Sequence, residues 1–273
     1  MEQPKKNFKI VSEKKARMIL PNAITLIGVC LGLTSIKFAI DGKFAIAIIA
    51  ILFASYSFTA DGPFLGLFGI KTENPAAVVA ASDQLRKDCG TPEGVTTTLM
   101  AEALNGSDPT THTYIVGFPN NAAYVEWNAQ IATCPGWAKY FEAMNPVSDQ
   151  TVQALAFPLA GGGDASKDTV FVNFFANVSR PDKFFPAYED LMEVASTDGT
   201  CPGSWGLLAV GPGVDPDEYG THIAYCGYPD LATYMDVAQI RVPSKAFQRF
   251  IRKTFRISEN KGVTSSAVVK IYD

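Results

Sequence analysis

The sequence predicts an α+β fold built twice in tandem behind an apolar N-terminal segment, and three observations carry that expectation. The first is a repeat. Thr111–Asn120 (THTYIVGFPN) and Thr221–Asp230 (THIAYCGYPD) align without a gap, and the register continues as Ala122 and Tyr124 meet Ala232 and Tyr234, Trp137 meets Phe247 and Phe141 meets Ile251. Such self-similarity marks two copies of one unit, each of about domain size. The second is the same order of strand-like and helix-like stretches in each copy. The third is a change of composition: before Asp61 the chain is basic and then almost purely apolar, and after it acidic and aromatic residues mix as in a protein with a packed core. The expected divisions are 1–60 for the leading segment, 61–160 for the first unit and 161–273 for the second, with Gly161-Gly162-Gly163-Asp164 as the linker between them.

The leading segment comes first in the chain. Lys5, Lys6, Lys9, Lys14, Lys15 and Arg17 precede an apolar run from Ile19 to Ile40, interrupted only by Pro21, Asn22 and Lys37, which is about one bilayer crossing. The positive flank places the N-terminus in the cytoplasm. Asp41-Gly42-Lys43 reads as a turn, and Phe44–Phe53 as a second apolar run ending in Ala54-Ser55-Tyr56-Ser57-Phe58-Thr59-Ala60. As a returning helix this run leaves the rest of the chain in the cytoplasm; as a signal-peptide core with Lys43 as its charged start, it exports it. About ten apolar residues are short for a span and ordinary for a signal core, so export is favoured. The membrane is thus the expected partner of residues 1–60, and the expected address is membrane-anchored or periplasmic.

Ala16-Arg17-Met18-Ile19-Leu20-Pro21-Asn22, Ile24-Thr25-Leu26 and Cys30-Leu31-Gly32-Leu33-Thr34-Ser35-Ile36 resemble the start of bacterial CDP-diacylglycerol–serine O-phosphatidyltransferases, over about residues 14–53. The resemblance implies the bacterial inner membrane and an ancestry in phospholipid synthesis. Those enzymes carry a D-G-x-x-A-R…G-x-x-x-D-x-x-x-D signature whose aspartates hold a divalent metal. Here Asp61-Gly62 is followed by Leu65-Gly66 instead of Ala-Arg, and no later aspartate pair follows. A hard cation has no ligand set without those carboxylates, so the ancestry does not imply the activity.

The second copy shows the element order. Thr169–Asn177 alternates as a strand, Pro181 opens a helix reaching Ser196, and Trp205–Val210 and His222–Tyr228 are strands separated by Gly211-Pro212-Gly213. Pro229 opens a second helix, Lys245–Arg252 is a short third, and β-branched Ser266–Ile271 closes the unit. This β-α-β-β-α-β order is ferredoxin-like, with helices on one face of an antiparallel sheet and the other face bare. Two such units covering each other's bare faces resemble the dimeric α+β barrel superfamily in pseudo-dimeric form. The expected arrangement is sheet facing sheet.

Composition narrows the function. With 47% hydrophobic and 18% charged residues the chain is not disordered, and 18 Phe and 10 Tyr supply core and pocket walls. A net charge of -4 without a basic stripe after Asp61 excludes an electrostatic nucleic-acid binder. Of five cysteines, Cys89, Cys134, Cys201 and Cys226 follow the leader. In an oxidising compartment they are expected to pair within each unit, Cys89 with Cys134 and Cys201 with Cys226; the alternative is four thiols that never meet.

Candidate chemistry is sparse. His112 and His222, the two histidines, hold equivalent positions at the start of each unit's third strand, where an imidazole could serve as acid or base, ligate haem or a metal, or simply hydrogen-bond a loop. Neither has a metal-ligand cluster around it, and the sequence names no cofactor. Tyr114, Phe118, Tyr225 and Tyr228, joined by Tyr124, Trp127 and Tyr234, could line an apolar pocket or simply fill the core. The leading expectation is an exported or tethered module that binds a small apolar or aromatic ligand; a monooxygenase-like or haem-dependent barrel enzyme is the alternative, and a residual phosphatidyltransferase the third.

Overall fold

Alternating strands Phe64–Thr72 (β1), Thr96–Leu104 (β2), His112–Phe118 (β3) and Ser148–Gly162 (β4) form the first half of the sheet, and Val170–Val178 (β5), Trp205–Val210 (β6), His222–Tyr228 (β7) and Ser258–Tyr272 (β8) the second. The structure, a computed structural model, describes residues 62–272, so the expectations for residues 1–60 lie outside the described residues. Gly62–Asp273 form one compact unit. Among the described residues no helix is long and apolar enough to cross a membrane.

The helices follow the repeat. Pro75–Cys89 (α1) and Pro181–Asp198 (α4) both start on a proline, whose fixed φ suits the first turn and whose missing N–H costs nothing there. Asn121–Thr133 (α2) and Leu231–Arg241 (α6) are capped by Asn120 and Asp230, whose side chains accept from Ala123 N and Thr233 N. Pro135–Met144 (α3) and Lys245–Thr254 (α7) complete the halves; the short Pro216–Tyr219 (α5) belongs to the second alone.

Within each half the strands run in the order β4-β1-β3-β2 and β8-β5-β7-β6, the ferredoxin-like arrangement, all antiparallel. The halves form the expected pseudo-dimeric barrel, but not by sheet-on-sheet packing alone. They join at their edges, β2 to β8 and β4 to β6, into one closed eight-stranded barrel. Closure achieves what stacking was expected to do: the bare faces turn inward to a common lumen, and no strand edge is left unpaired. β4 and β8 are 15 residues long because each pairs first with its own half and then crosses to the other. Ser258–Ala267 pairs with β5 and Ser265–Tyr272 with β2; Ser148–Ala156 pairs with β1 and Ala156–Gly162 with β6.

The glycine run is therefore not a free linker. Gly161 and Gly162 are the last residues of β4, opposite Gly206 and Trp205, and a Cβ on Gly162 would sit 3.0 Å from the Trp205 ring. Gly163 has φ +80°, and a Cβ there would lie 2.3 Å from Gly203 O. Two disulfides staple the halves, Cys89–Cys134 (Cα–Cα 6.0 Å) joining the end of α1 to the α2–α3 junction, and Cys201–Cys226 (5.8 Å) tying the loop after α4 to β7.

Gly163→Ala tests the seam against the linker. A flexible linker tolerates alanine, whereas the left-handed backbone and the clash with Gly203 lead us to expect a loss of about 1–3 kcal/mol or more in urea unfolding. An unchanged midpoint would contradict the seam.

Candidate functional site

Strand alternation sends successive side chains to opposite faces, so every strand supplies both the lumen and the layer beneath the helices. On β3, His112, Tyr114, Val116 and Phe118 are the buried alternates, and Tyr114 and Phe118 meet side chains of α1 and α2; Thr113 and Ile115 face the lumen. On β7, Ile223 and Tyr225 face the lumen, while His222 and Ala224 border the helix layer. Among the described residues this leaves a lumen of about 410 Å³, a cavity of about 380 Å³ between sheet and helices in the first half, and one of about 180 Å³ in the second. Only the first two reach the ~300–1,000 Å³ typical of ligand sites.

The residues singled out from sequence are scattered by this geometry. Tyr114 lines the first-half cavity together with Tyr124 and Trp127, and Tyr225 lines the lumen, its ring lying against Gly206 where any Cβ would clash. Phe118 and Tyr228 are core, 1% and 0% exposed, with Tyr228 packed on Tyr234 and directed at Thr200 O. Both histidines are buried away from the two larger cavities. His112 Nδ1 lies 3.0 Å from Thr111 Oγ1 and His222 Nδ1 2.8 Å from Thr221 Oγ1, and Phe185 packs at the edge of His222. His222 borders only the smallest cavity and His112 none of the three. Among the described residues no group of three His, Cys, Asp or Glu converges to hold a metal. The histidines thus do not fit as ligands of a group the size of haem.

The first-half cavity is the chemically distinctive one, and most of its polar residues were not apparent from sequence. Ser82 on α1 donates to Val78 O at 2.9 Å, as helix serines do, so the 2.7 Å contact between Ser82 Oγ and Tyr114 Oη has the phenol as donor. Tyr140 on α3 lies beside Tyr114, and burial pushes both phenols above their ordinary range, keeping them protonated. Arg86, also on α1, points its guanidinium at Thr91 Oγ1 (Nη1, 2.9 Å) and Thr97 Oγ1 (Nη2, 2.6 Å) and lies 5.6 Å from the centroid of Tyr272. Burial lowers its pKa, and among the described residues no carboxylate pairs with it. Tyr272 is a contribution of the other half: β8 crosses the seam and sets it opposite Thr97. Its hydroxyl and Trp137 Nε1 are buried without a hydrogen-bond partner, and burial pushes the Tyr272 phenol up to about 12.

The second half shows how far the copies have diverged. Counting from the helix-opening prolines and along the aligned strands, Ser82 corresponds to Tyr188, Arg86 to Met192, Tyr114 to Ala224, Trp137 to Phe247 and Tyr140 to Phe250, all bordering the small cavity. Tyr272 corresponds to Gly162, which leaves its space to Trp205. Tyr188 fills the centre and donates to Gly206 O at 2.9 Å. The polar set was thus kept or acquired in one half only. The signal that could have found it is the presence of Ser82 and Arg86 on the buried stripe of α1 with Val78, Ala81 and Leu85.

No protein-family model and no curated protein matches the chain. Among solved structures, the fold is similar to that of a proposed monooxygenase from Lactobacillus acidophilus NCFM (TM-score 0.54, 14% identity, 77% of this chain and 96% of that one). It is also similar to an anthrone oxidase-like protein (TM-score 0.53, 12% identity, 77% and 91%). At such identity the likeness establishes the dimeric α+β barrel architecture and no activity.

The buried histidines generate a pH prediction. Burial depresses both pKa values below the ordinary 6.5, so the unfolded chain binds protons at a higher pH than the folded one. Stability therefore falls as pH drops through that value. His112→Gln/His222→Gln is expected to flatten the fall in urea midpoint between about pH 7 and 5.5, around the imidazole range; an unaltered slope would place the histidines outside the acid response.

Proposed function

We propose that this chain is an oxidative enzyme of the monooxygenase-like barrel kind, acting on a flat aromatic small molecule held in the first-half cavity. The observation that carries the reading is the cavity wall: the aromatic faces of Phe68, Tyr124, Trp127 and Trp137 surround a hydroxyl relay of Tyr140, Tyr114 and Ser82. Apolar faces supply binding energy and a few polar groups set orientation, the usual division of labour in small-molecule sites. The resemblance in fold to a proposed monooxygenase and to an anthrone oxidase-like protein supports the class of chemistry.

In this reading the protein's own contribution is to bind the ring, exclude water and hydrogen-bond an oxygen that gains negative charge, with Tyr272 Oη, whose proton is not committed to another side chain, as the donor. Dioxygen is the co-reactant. For an anthrone-type probe, one dioxygen converts the ring methylene to a carbonyl and its second oxygen leaves as water with the two methylene hydrogens.

A second reading, binding without turnover, is favoured by one observation: among the described residues no carboxylate or imidazole lines the cavity to act as general base. We further propose that residues 1–60 tether or export the barrel; the two disulfides support an oxidising compartment.

Incubating the chain with anthrone in air, while recording dioxygen uptake and the absorbance of anthraquinone, separates the readings. Enzyme-dependent turnover that Tyr272→Phe slows by about 100-fold is expected. Saturable binding with no uptake above the protein-free rate would favour the binding module, and no binding would remove the cavity from consideration.

A further inference from the structure

The first-half cavity contains more hydrogen-bond donors than its own residues satisfy. Trp137 and Tyr272 are 8% and 7% exposed, and Trp137 Nε1 and Tyr272 Oη have no partner. A buried, unmatched polar group is destabilising, and such groups in a native structure call for a specific explanation. Arg86 adds a half-buried positive charge whose hydrogen bonds go to two threonine hydroxyls, with no carboxylate partner among the described residues. The neighbouring Lys270 lies 5.3 Å from the Tyr272 ring but is neutralised by Asp83 at 2.6 Å, so the cation beside Tyr272 that lacks a carboxylate is Arg86. Among the described residues no aspartate or glutamate lines the cavity. What is missing is an anion with lone pairs to spare.

We propose that the first-half cavity selects an aromatic ligand bearing a carboxylate, with Arg86 as its counter-ion and Tyr272 Oη and Trp137 Nε1 as hydrogen-bond donors to its oxygens. The inference rests on the aromatic-cavity reading and adds the charge of the ligand. A planar guanidinium fork matches a carboxylate, and a buried charge-assisted bond is stronger than a neutral one. A single guanidinium, half-committed to threonines, balances a monoanion; a phosphate dianion would require further cations or a backbone amide nest, and the cavity is lined by neither. The second-half counterparts Met192, Phe247 and Gly162 lack these donors, and Arg241, which borders the smaller cavity, is held by Thr200 O at 2.7 Å and lies over the rings of Phe174 and Tyr228.

Calorimetric titration of the full-length chain with 2-naphthoate and with neutral 2-naphthalenemethanol tests this. The acid is expected to bind at least about tenfold tighter, as a charge-assisted bond does, and Arg86→Met is expected to abolish the preference. Tyr272→Phe is expected to weaken the acid several-fold while raising the melting temperature of the ligand-free chain, because it deletes an unsatisfied hydroxyl. That pairing is not what a purely structural tyrosine would give, and it carries the test should Arg86→Met fail to fold. Binding of the alcohol as tight as the acid, or unchanged acid affinity in Tyr272→Phe, would overturn the inference and leave the aromatic cavity standing. Failure of both probes to bind would overturn the inference and the aromatic-cavity reading together.

Discussion

Everything in this molecule depends on two seams where one half's sheet edge meets the other's. A four-stranded ferredoxin-like sheet has an apolar face with no helices on it and two open edges, and either defect invites association. Pairing Thr97–Leu104 with Ser265–Tyr272, and Ala156–Gly162 with Trp205–Val210, removes both at once. The last strand of each half is long enough to serve its own sheet and then the other's, which is why β4 and β8 run for 15 residues. Duplication in one chain makes that pairing intramolecular, so its entropic cost is that of closing loops instead of joining two molecules.

The seams also explain why the site is unequal between halves. The first-half cavity takes Ser82 and Arg86 from α1, Tyr114 from β3 and Trp137 and Tyr140 from α3, and it takes Tyr272 from the far half across the β2–β8 seam. At the other seam the corresponding residue is Gly162, and Trp205 lies over it. A single exchange of tyrosine for glycine at equivalent seam positions thus gives one cavity a phenol that the other lacks. Packing then follows. In the second half Phe184, Tyr188 and Phe250 pack on one another, ring centroids 5.5–6.4 Å apart; in the first Trp127, Trp137 and Tyr140 pack as closely but border a larger volume.

Much of the architecture was legible in the sequence because local rules decided it. Trp205–Val210 and His222–Tyr228 are strands over the residues expected, and Pro181 opens a helix, since alternation and proline φ act within a few residues. Only the seam portion of β8 was legible. Ser258–Ser265 reads as polar and glycine-containing, and its strand character comes from pairing with β5, a partner about 90 residues away that no local pattern reports. A barrel was expected from the repeat, but which edges pair was hidden for the same reason, and the glycines at 161–163 looked like a linker because flexibility and close approach of backbones call for the same residue. The site was less legible still. Tyr114 and Trp127 could be read as wall or core, but Arg86 looks like an ordinary last-turn cation favoured by the helix dipole, and Tyr272 like the end of a strand. Their meeting is a property of the seam.

Native-state amide hydrogen exchange across the two seams tests this most directly. Amides of Thr97–Leu104, Ser265–Tyr272, Ala156–Gly162 and Trp205–Val210 are expected to exchange with the same free energy as the β1–β3 and β5–β7 ladders inside each half, through global unfolding. Seam amides that exchange far faster than those ladders would show two halves that merely touch, and would remove Tyr272 from the site.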